Sequence, residues 1–120
     1  MKTNEIANNL VNWFNKGDEA KCYQELYSKN IVSIEADKEH STSNGMEEVQ
    51  KKGEWWHNTF EVHSSKASEP IVADNWFTTK FDMDITHKES GQRSQMQELG
   101  VYQVKDGKIV KEQFFYDSDQ

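Results

Sequence analysis

Only one cysteine, Cys22, and one proline, Pro70, occur in the chain. A lone cysteine excludes an intrachain disulfide and a multi-cysteine metal site, and it fits a reducing compartment. Long hydrophobic runs are missing as well. No stretch approaches the about 20 apolar residues of a membrane span. The opening "MKTNEIANNL" lacks the apolar core of a secretory signal. Basic clusters are also scarce. The longest basic run, Lys51-Lys52, is followed closely by Glu54, and the net charge is −7. A nucleic-acid partner is not expected, because a phosphate-binding face needs clustered Lys and Arg. The expectation is a cytoplasmic protein without a membrane or nucleic-acid partner, built as one domain over residues 1–120.

Helical spacing marks the first part of the chain. Ile6, Leu10, Trp13 and Phe14 share a face over residues 4–16, and Gly17 stops that helix. Asp18 caps a second helix over 18–28, with Ala20, Tyr23, Leu26 and Tyr27 inward. "NIVSIEA" (30–36) reads as a strand that ends on a carboxylate, Glu35. Asn44 followed by Glu47 suggests a capping box for a third helix reaching about Thr59. Four strands are expected afterwards, over 60–73, 76–87, 93–104 and 108–117. "KESGQR" and "KDGK" supply turns. Helices followed by a meander predict an α+β fold, with three helices packed on a curved, mostly antiparallel sheet. The closing "DSDQ" reads as a frayed tail.

Register decides which side chains meet. A three-residue loop at Lys105-Asp106-Gly107 sets Tyr102 opposite Val110, Gly100 opposite Glu112 and Glu98 opposite Phe114. Met96, Glu98, Tyr102, Val104, Val110, Glu112, Phe114 and Tyr116 then share the inner face. Leu99, Val101, Ile109 and Phe115 fall outside among glutamines, a face suited to a homodimer. A two-residue Asp106-Gly107 turn would shift the partners by one.

Element order and local strings together resemble the SnoaL-like branch of the nuclear transport factor 2-like superfamily, which includes ketosteroid isomerases and polyketide cyclases. The strings are "WFNKGDEAKCYQELYSKNIVSIEA", "NGMEEVQKKGEWW" and "GVYQVKDGKIVKEQFFYD". The resemblance implies a cone, with the sheet wrapped around the helices and a pocket at the wide end. It implies a general base at Glu35, at the end of the first strand. The isomerase donors, a first-helix tyrosine and a penultimate-strand aspartate, map to Leu10 and Gly100, which carry no donor. The cyclase histidine and aspartate map to Glu112 and Phe114.

Several side chains therefore become candidates. Glu35 could act as a base if partial burial raises its pKa. Glu98 and Glu112 are read as near neighbours, one of which keeps a proton. Tyr116 could polarise a carbonyl. Trp56, Tyr102, Phe114 and Leu10 would wall a pocket for a small, largely apolar ligand, and His57 could point into it. The competing reading makes the rings core and the carboxylates structural, with Lys80 or Arg93 pairing Glu98 or Glu112. The four histidines, at 40, 57, 63 and 87, show no metal-pair spacing on one helix, and neither a metal nor a cofactor is expected. Two functions remain open: an isomerase-, cyclase- or lyase-type enzyme acting on a carbonyl compound, or a non-catalytic binding or dimeric assembly module.

Overall fold

Seven strands form a single sheet in the order β2-β1-β7-β6-β5-β3, with β4 paired to β5. The computed structural model describes residues 1–37 and 41–117, so His40 and the end of the "DSDQ" tail lie outside the described residues. The helices are α1 (Thr3–Asn15), α2 (Glu19–Leu26) and α3 (Gly45–Thr59). The strands are β1 (Tyr27–Ile34), β2 (Thr42–Asn44), β3 (Phe60–Ala67), β4 (Ile71–Ala73), β5 (Trp76–His87), β6 (Arg93–Lys105) and β7 (Lys108–Phe115). All strand pairings are antiparallel except β1 with β7, which run parallel.

The helix starts have local causes. The Asp18 carboxylate accepts from the Lys21 N–H at 3.3 Å and caps α2. At α3 the reciprocal contact uses Glu48, not Glu47: the Asn44 N–H donates to Glu48 Oε1 at 2.9 Å, and the Asn44 side chain makes no cap bond. The second helix ends at Leu26, so Tyr27 opens β1 instead of closing α2, and Ala20 is exposed. The strand expected over 60–73 is two, β3 and β4. It breaks at Ser68-Glu69-Pro70, where proline has no N–H for a ladder.

The core lies between the helices and the inner face of the sheet. Ile6, Ala7 and Leu10 of α1, Leu26 of α2 and Val49 of α3 pack with Ile31, Phe77, Phe81, Tyr102 and Ile109. Phe77 stacks on Tyr102 with centroids 4.7 Å apart, and Phe14 meets Phe81 edge-on at 4.9 Å. Offset and edge-on contacts of this kind stabilise by about 1 kcal/mol beyond the area they bury.

The last hairpin corrects the expected register. Asp106 and Gly107 both have positive φ, 52° and 75°, so the turn has two residues and Lys105 faces Lys108. The ladder then shifts by one residue between Ile109 and Lys111, leaving Val110 as a bulge. Ile109 consequently points into the core, fully buried, and Val110 does not take the expected place opposite Tyr102. The bulge restores the parity that the shorter turn removed. Glu112 therefore stands opposite Tyr102 and Phe114 opposite Gly100, both on the inner face.

Candidate functional site

Three elements, β1, α3 and β7, with the residues that follow β1 and β7, deliver polar groups to one interior region. In the parallel β1–β7 pair Ser33 is the register partner of Glu112. Strand alternation puts Ser33 and Glu35 on one face with the buried Ile31. From β7 comes Glu112, only 3% exposed. Its Oε1 accepts the Tyr27 hydroxyl, and its Oε2 accepts the Ser33 hydroxyl at 2.7 Å. From α3 comes Lys52, whose ammonium donates to Ser33 Oγ and, at 2.9 Å, to Glu35 Oε1. The Tyr116 hydroxyl closes the line by donating to Glu35 Oε2 at 3.0 Å. A continuous hydrogen-bonded line thus runs from Tyr27 through Glu112, Ser33, Lys52 and Glu35 to Tyr116.

Glu98 stands apart from that line. No hydrogen bond ties its carboxyl to another described residue, and its neighbours on the inner face are Met96 and Gly100. Across the ladder it faces Phe81. Burial first, then Glu35 and to a lesser degree Glu112, raise its pKa to about 8 against the opposing charge of Lys52. A carboxyl with that pKa carries a proton at neutral pH and can donate it. Burial also raises Glu112, against the ammonium of Lys52 and the bonds from Tyr27 and Ser33, while Glu35 adds to the rise. Burial first, then Glu35, raises Tyr116 above the usual phenol range.

Glu98 and Glu112 are not the near neighbours expected from the three-residue loop. The true register sets them two inward positions apart, with Gly100 and Phe114 between. The leading carboxylate neighbour of Glu98 is Glu35 instead. Nor do Lys80 and Arg93 reach either glutamate. Lys80 lies 3.4 Å from Asp82, and Arg93 makes two bonds to Asp84 at 2.8 and 2.9 Å, all on the outer face.

The aromatic candidates divide. Phe114 is half-buried, edge-on to Tyr102 at 6.2 Å, with the Lys52 ammonium 5.4 Å from its ring centre. Tyr102 is a core ring whose edge and hydroxyl stand over Gly100. A Cβ at position 100 would come within 2.9 Å of both Phe81 and Tyr102. Glycine is there because the two rings occupy the space a side chain would need. Leu10 is a core residue, 3% exposed, rather than a pocket wall. Trp56 does not join the carboxylates; it rests on Phe60 at 4.5 Å. His57 is exposed and lies 3.7 Å from Glu19, so it faces the α2–α3 groove and not the cone interior. One helical step, 100° around α3, separates it from Trp56.

An open cavity of about 1140 Å³ is bordered by β3, β5, β6 and the residues that follow β1 and β7. Its lining draws on both faces of the sheet: Ser65, Met83 and Met96 belong to the inner face and Asp82 and Asp84 to the outer, with Ala36 and Tyr116 beyond the strand ends. Glu35, Lys52, Glu98 and Glu112 are not in that wall. The wall is linked to two of them: Ala36 follows Glu35, Tyr116 bonds to Glu35, and Met96 is the next inward residue to Glu98. Among the described residues no group of three or more His, Cys, Asp or Glu could hold a metal ion.

Sequence reasoning missed Lys52, Ser33 and Tyr27 as site residues. The signals existed. Lys52 follows Val49 by three and precedes Trp56 by four, on the face of α3 already taken as inward. Ser33 has the parity of Glu35.

A SnoaL-like domain family model matches residues 1–116. The chain belongs to the SnoaL-like family. A candidate SnoaL-like polyketide cyclase from Mesorhizobium loti is 35% identical, with a TM-score of 0.92 over 97% of this chain and 100% of that one. A candidate polyketide cyclase from Pseudomonas putida shares 16% identity and a TM-score of 0.75, over 99% and 94% of the two chains. A protein from Catenulispora acidiphila with a ketosteroid isomerase-like fold, solved with trimethylamine, shares 14% and a TM-score of 0.76, over 98% and 88%. The last two likenesses concern the fold alone. No curated protein matches this SnoaL-like chain in sequence.

Proposed function

We propose that this SnoaL-like protein binds a small, largely apolar carbonyl compound at the wide end of the cone and performs cofactor-independent acid–base chemistry of the isomerase, cyclase or lyase type. Glu98 carries the reading. It is a proton-bearing carboxyl without a hydrogen-bond partner among the described residues, set beside a carboxylate, an ammonium and aromatic rings. Pairs of titratable groups with separated pKa values are what acid–base sites are made of. Glu35 takes a proton from the carbon next to the carbonyl, and the C–H electron pair becomes the enolate. Glu98 donates to the enolate oxygen, and Tyr116 turns its hydroxyl from Glu35 to that oxygen once Glu35 is protonated. Return of the proton to the same or another carbon restores the carbonyl. The 35% identical M. loti protein, a candidate polyketide cyclase, supports the cyclase member of this group.

Proton abstraction can be tested without the natural substrate. Flat, apolar ketones such as 2-tetralone exchange α-protons in D2O, and proton NMR follows the loss. The native protein accelerates exchange for at least one ketone of such a panel, and Glu35→Gln removes the acceleration. Exchange at the buffer rate for the whole panel contradicts the reading.

A non-catalytic ligand-binding or assembly module is the second reading. Its support is that Glu35 and Glu112 are held by internal partners and do not line the cavity. Under either reading we propose a cytoplasmic homodimer. Leu99 and Phe115 are register partners, both about half exposed, and Trp76 lies on the same outer face. Glutamines surround them, so two copies of a chain of charge −7 can meet there without strong like-charge repulsion. Sedimentation velocity of Leu99→Glu should show a monomer; an unchanged dimer contradicts this surface.

A further inference from the structure

The interior line of hydrogen bonds has a direction. The Ser33 hydrogen is committed to Glu112 Oε2, so Ser33 Oγ can only accept, and it accepts from Lys52. Tyr27 fixes the other oxygen of Glu112. One arm thus pins the ammonium from the core side. The other arm ends at Glu35, which Tyr116 orients from its second oxygen. Lys52 sits where the two arms meet, with about a fifth of its side chain exposed. The groups acting on this region are Ser33 of β1 and Glu35 just beyond it, Glu112 and Phe114 from β7, Tyr116 beyond that strand, and Glu98 from β6. Lys52 is the leading cation acting on both Glu98 and Glu112.

An ammonium bound to the base has a consequence for the reaction. As Glu35 takes the ligand proton it becomes neutral and stops holding the ammonium. At the same moment a negative charge forms on the ligand oxygen. The transfer leaves the net interior charge unchanged and only moves the negative charge, so an ammonium that follows it from one anion to the other takes the place of solvent reorganisation.

Resting on the acid–base reading above, we propose that Lys52 is a catalytic counter-ion that pairs with Glu35 before proton abstraction and with the enolate oxygen after it. Ser33 and Glu112 are then positioning residues: they keep the ammonium within reach of both anions. The α-carbon loses H⁺ to Glu35, its C–H pair becomes the enolate, and Lys52 changes partner without changing its own proton count. No further reactant is needed.

The test uses 2-tetralone exchange in D2O with the full chain. Lys52→Gln keeps donors for Ser33 and Glu35 but removes the charge. It should slow exchange about 100-fold, leave the affinity for the neutral ketone nearly unchanged, and move the basic limb of the pH profile upward, because Glu98 loses the charge that lowers its pKa. Lys52→Arg should recover part of the rate. If Lys52→Gln does not fold, Ser33→Ala replaces it, with a loss of about 10-fold expected from the weakened grip on the ammonium. Native exchange together with an unaltered rate in the charge-free or Ser33 variant overturns the role of Lys52 alone. Absence of exchange in the native protein instead overturns the acid–base reading on which it rests.

Discussion

Strands β5 and β6 carry acids on both faces, and the two sets behave in opposite ways. On the outer face Asp84 is clasped by Arg93 and Asp82 by Gln97, and those hydrogen bonds hold both carboxyls below the usual range. On the inner face Glu98, one strand position from Gln97, has no such partner, and burial drives it upward. The residue type is nearly the same. What differs is which side of the pleat the side chain leaves, and therefore whether water or the helices cover it.

The largest break in this comparison should come from Glu112. Replacement by alanine leaves the Tyr27 and Ser33 hydroxyls buried without an acceptor and Lys52 with one anion fewer, a cost of about 3 kcal/mol in urea unfolding. Gly100→Ala comes next. A methyl 2.9 Å from the Phe81 and Tyr102 rings must displace one of them, and overpacking of this kind costs about 1–3 kcal/mol. An unchanged midpoint for either variant would mean the interior is looser than described.

The pH dependence sharpens the contrast, since the two faces have opposite signs. Glu98 binds its proton more tightly in the folded chain than in the unfolded one, about 8 against 4.5. Its contribution is full below 4.5 and is lost as pH rises through about 8. Asp84, held low, contributes above its ordinary value of 3.8, and the contribution fades as pH falls below it. Glu98→Gln should therefore flatten the decline in melting temperature between pH 5 and 8. The smallest effect is expected from Asp84→Asn: no measurable change near neutral pH in salt, because exposed ion pairs contribute little. A loss comparable to that of Glu112→Ala would contradict the distinction between the faces.

Much of this arrangement was legible in the sequence. Helix spacing, the Asp18 cap and the turn residues gave the order of elements, and the three glutamates do face inward. The hairpin register was not legible, because choosing between a two- and a three-residue loop ignored a third solution. A bulge at Val110 costs one unpaired residue and lets Ile109, Glu112 and Phe114 all face the core. Lys52 was hidden for another reason. A lysine is read as surface by default, and only its parity with Val49 and its reach to Glu35 reveal it as interior. His57 and Trp56 misled because the end of a helix turns 100° per residue, so neighbours there belong to different surfaces.

The central claim, that the inner face keeps a protonated carboxyl next to an ion pair, is most directly tested by following the Glu98 carboxyl carbon through a pH titration by 13C NMR. The account predicts a midpoint near 8 that moves higher in Lys52→Gln. A midpoint in the ordinary glutamate range, unmoved by loss of the lysine charge, would contradict it.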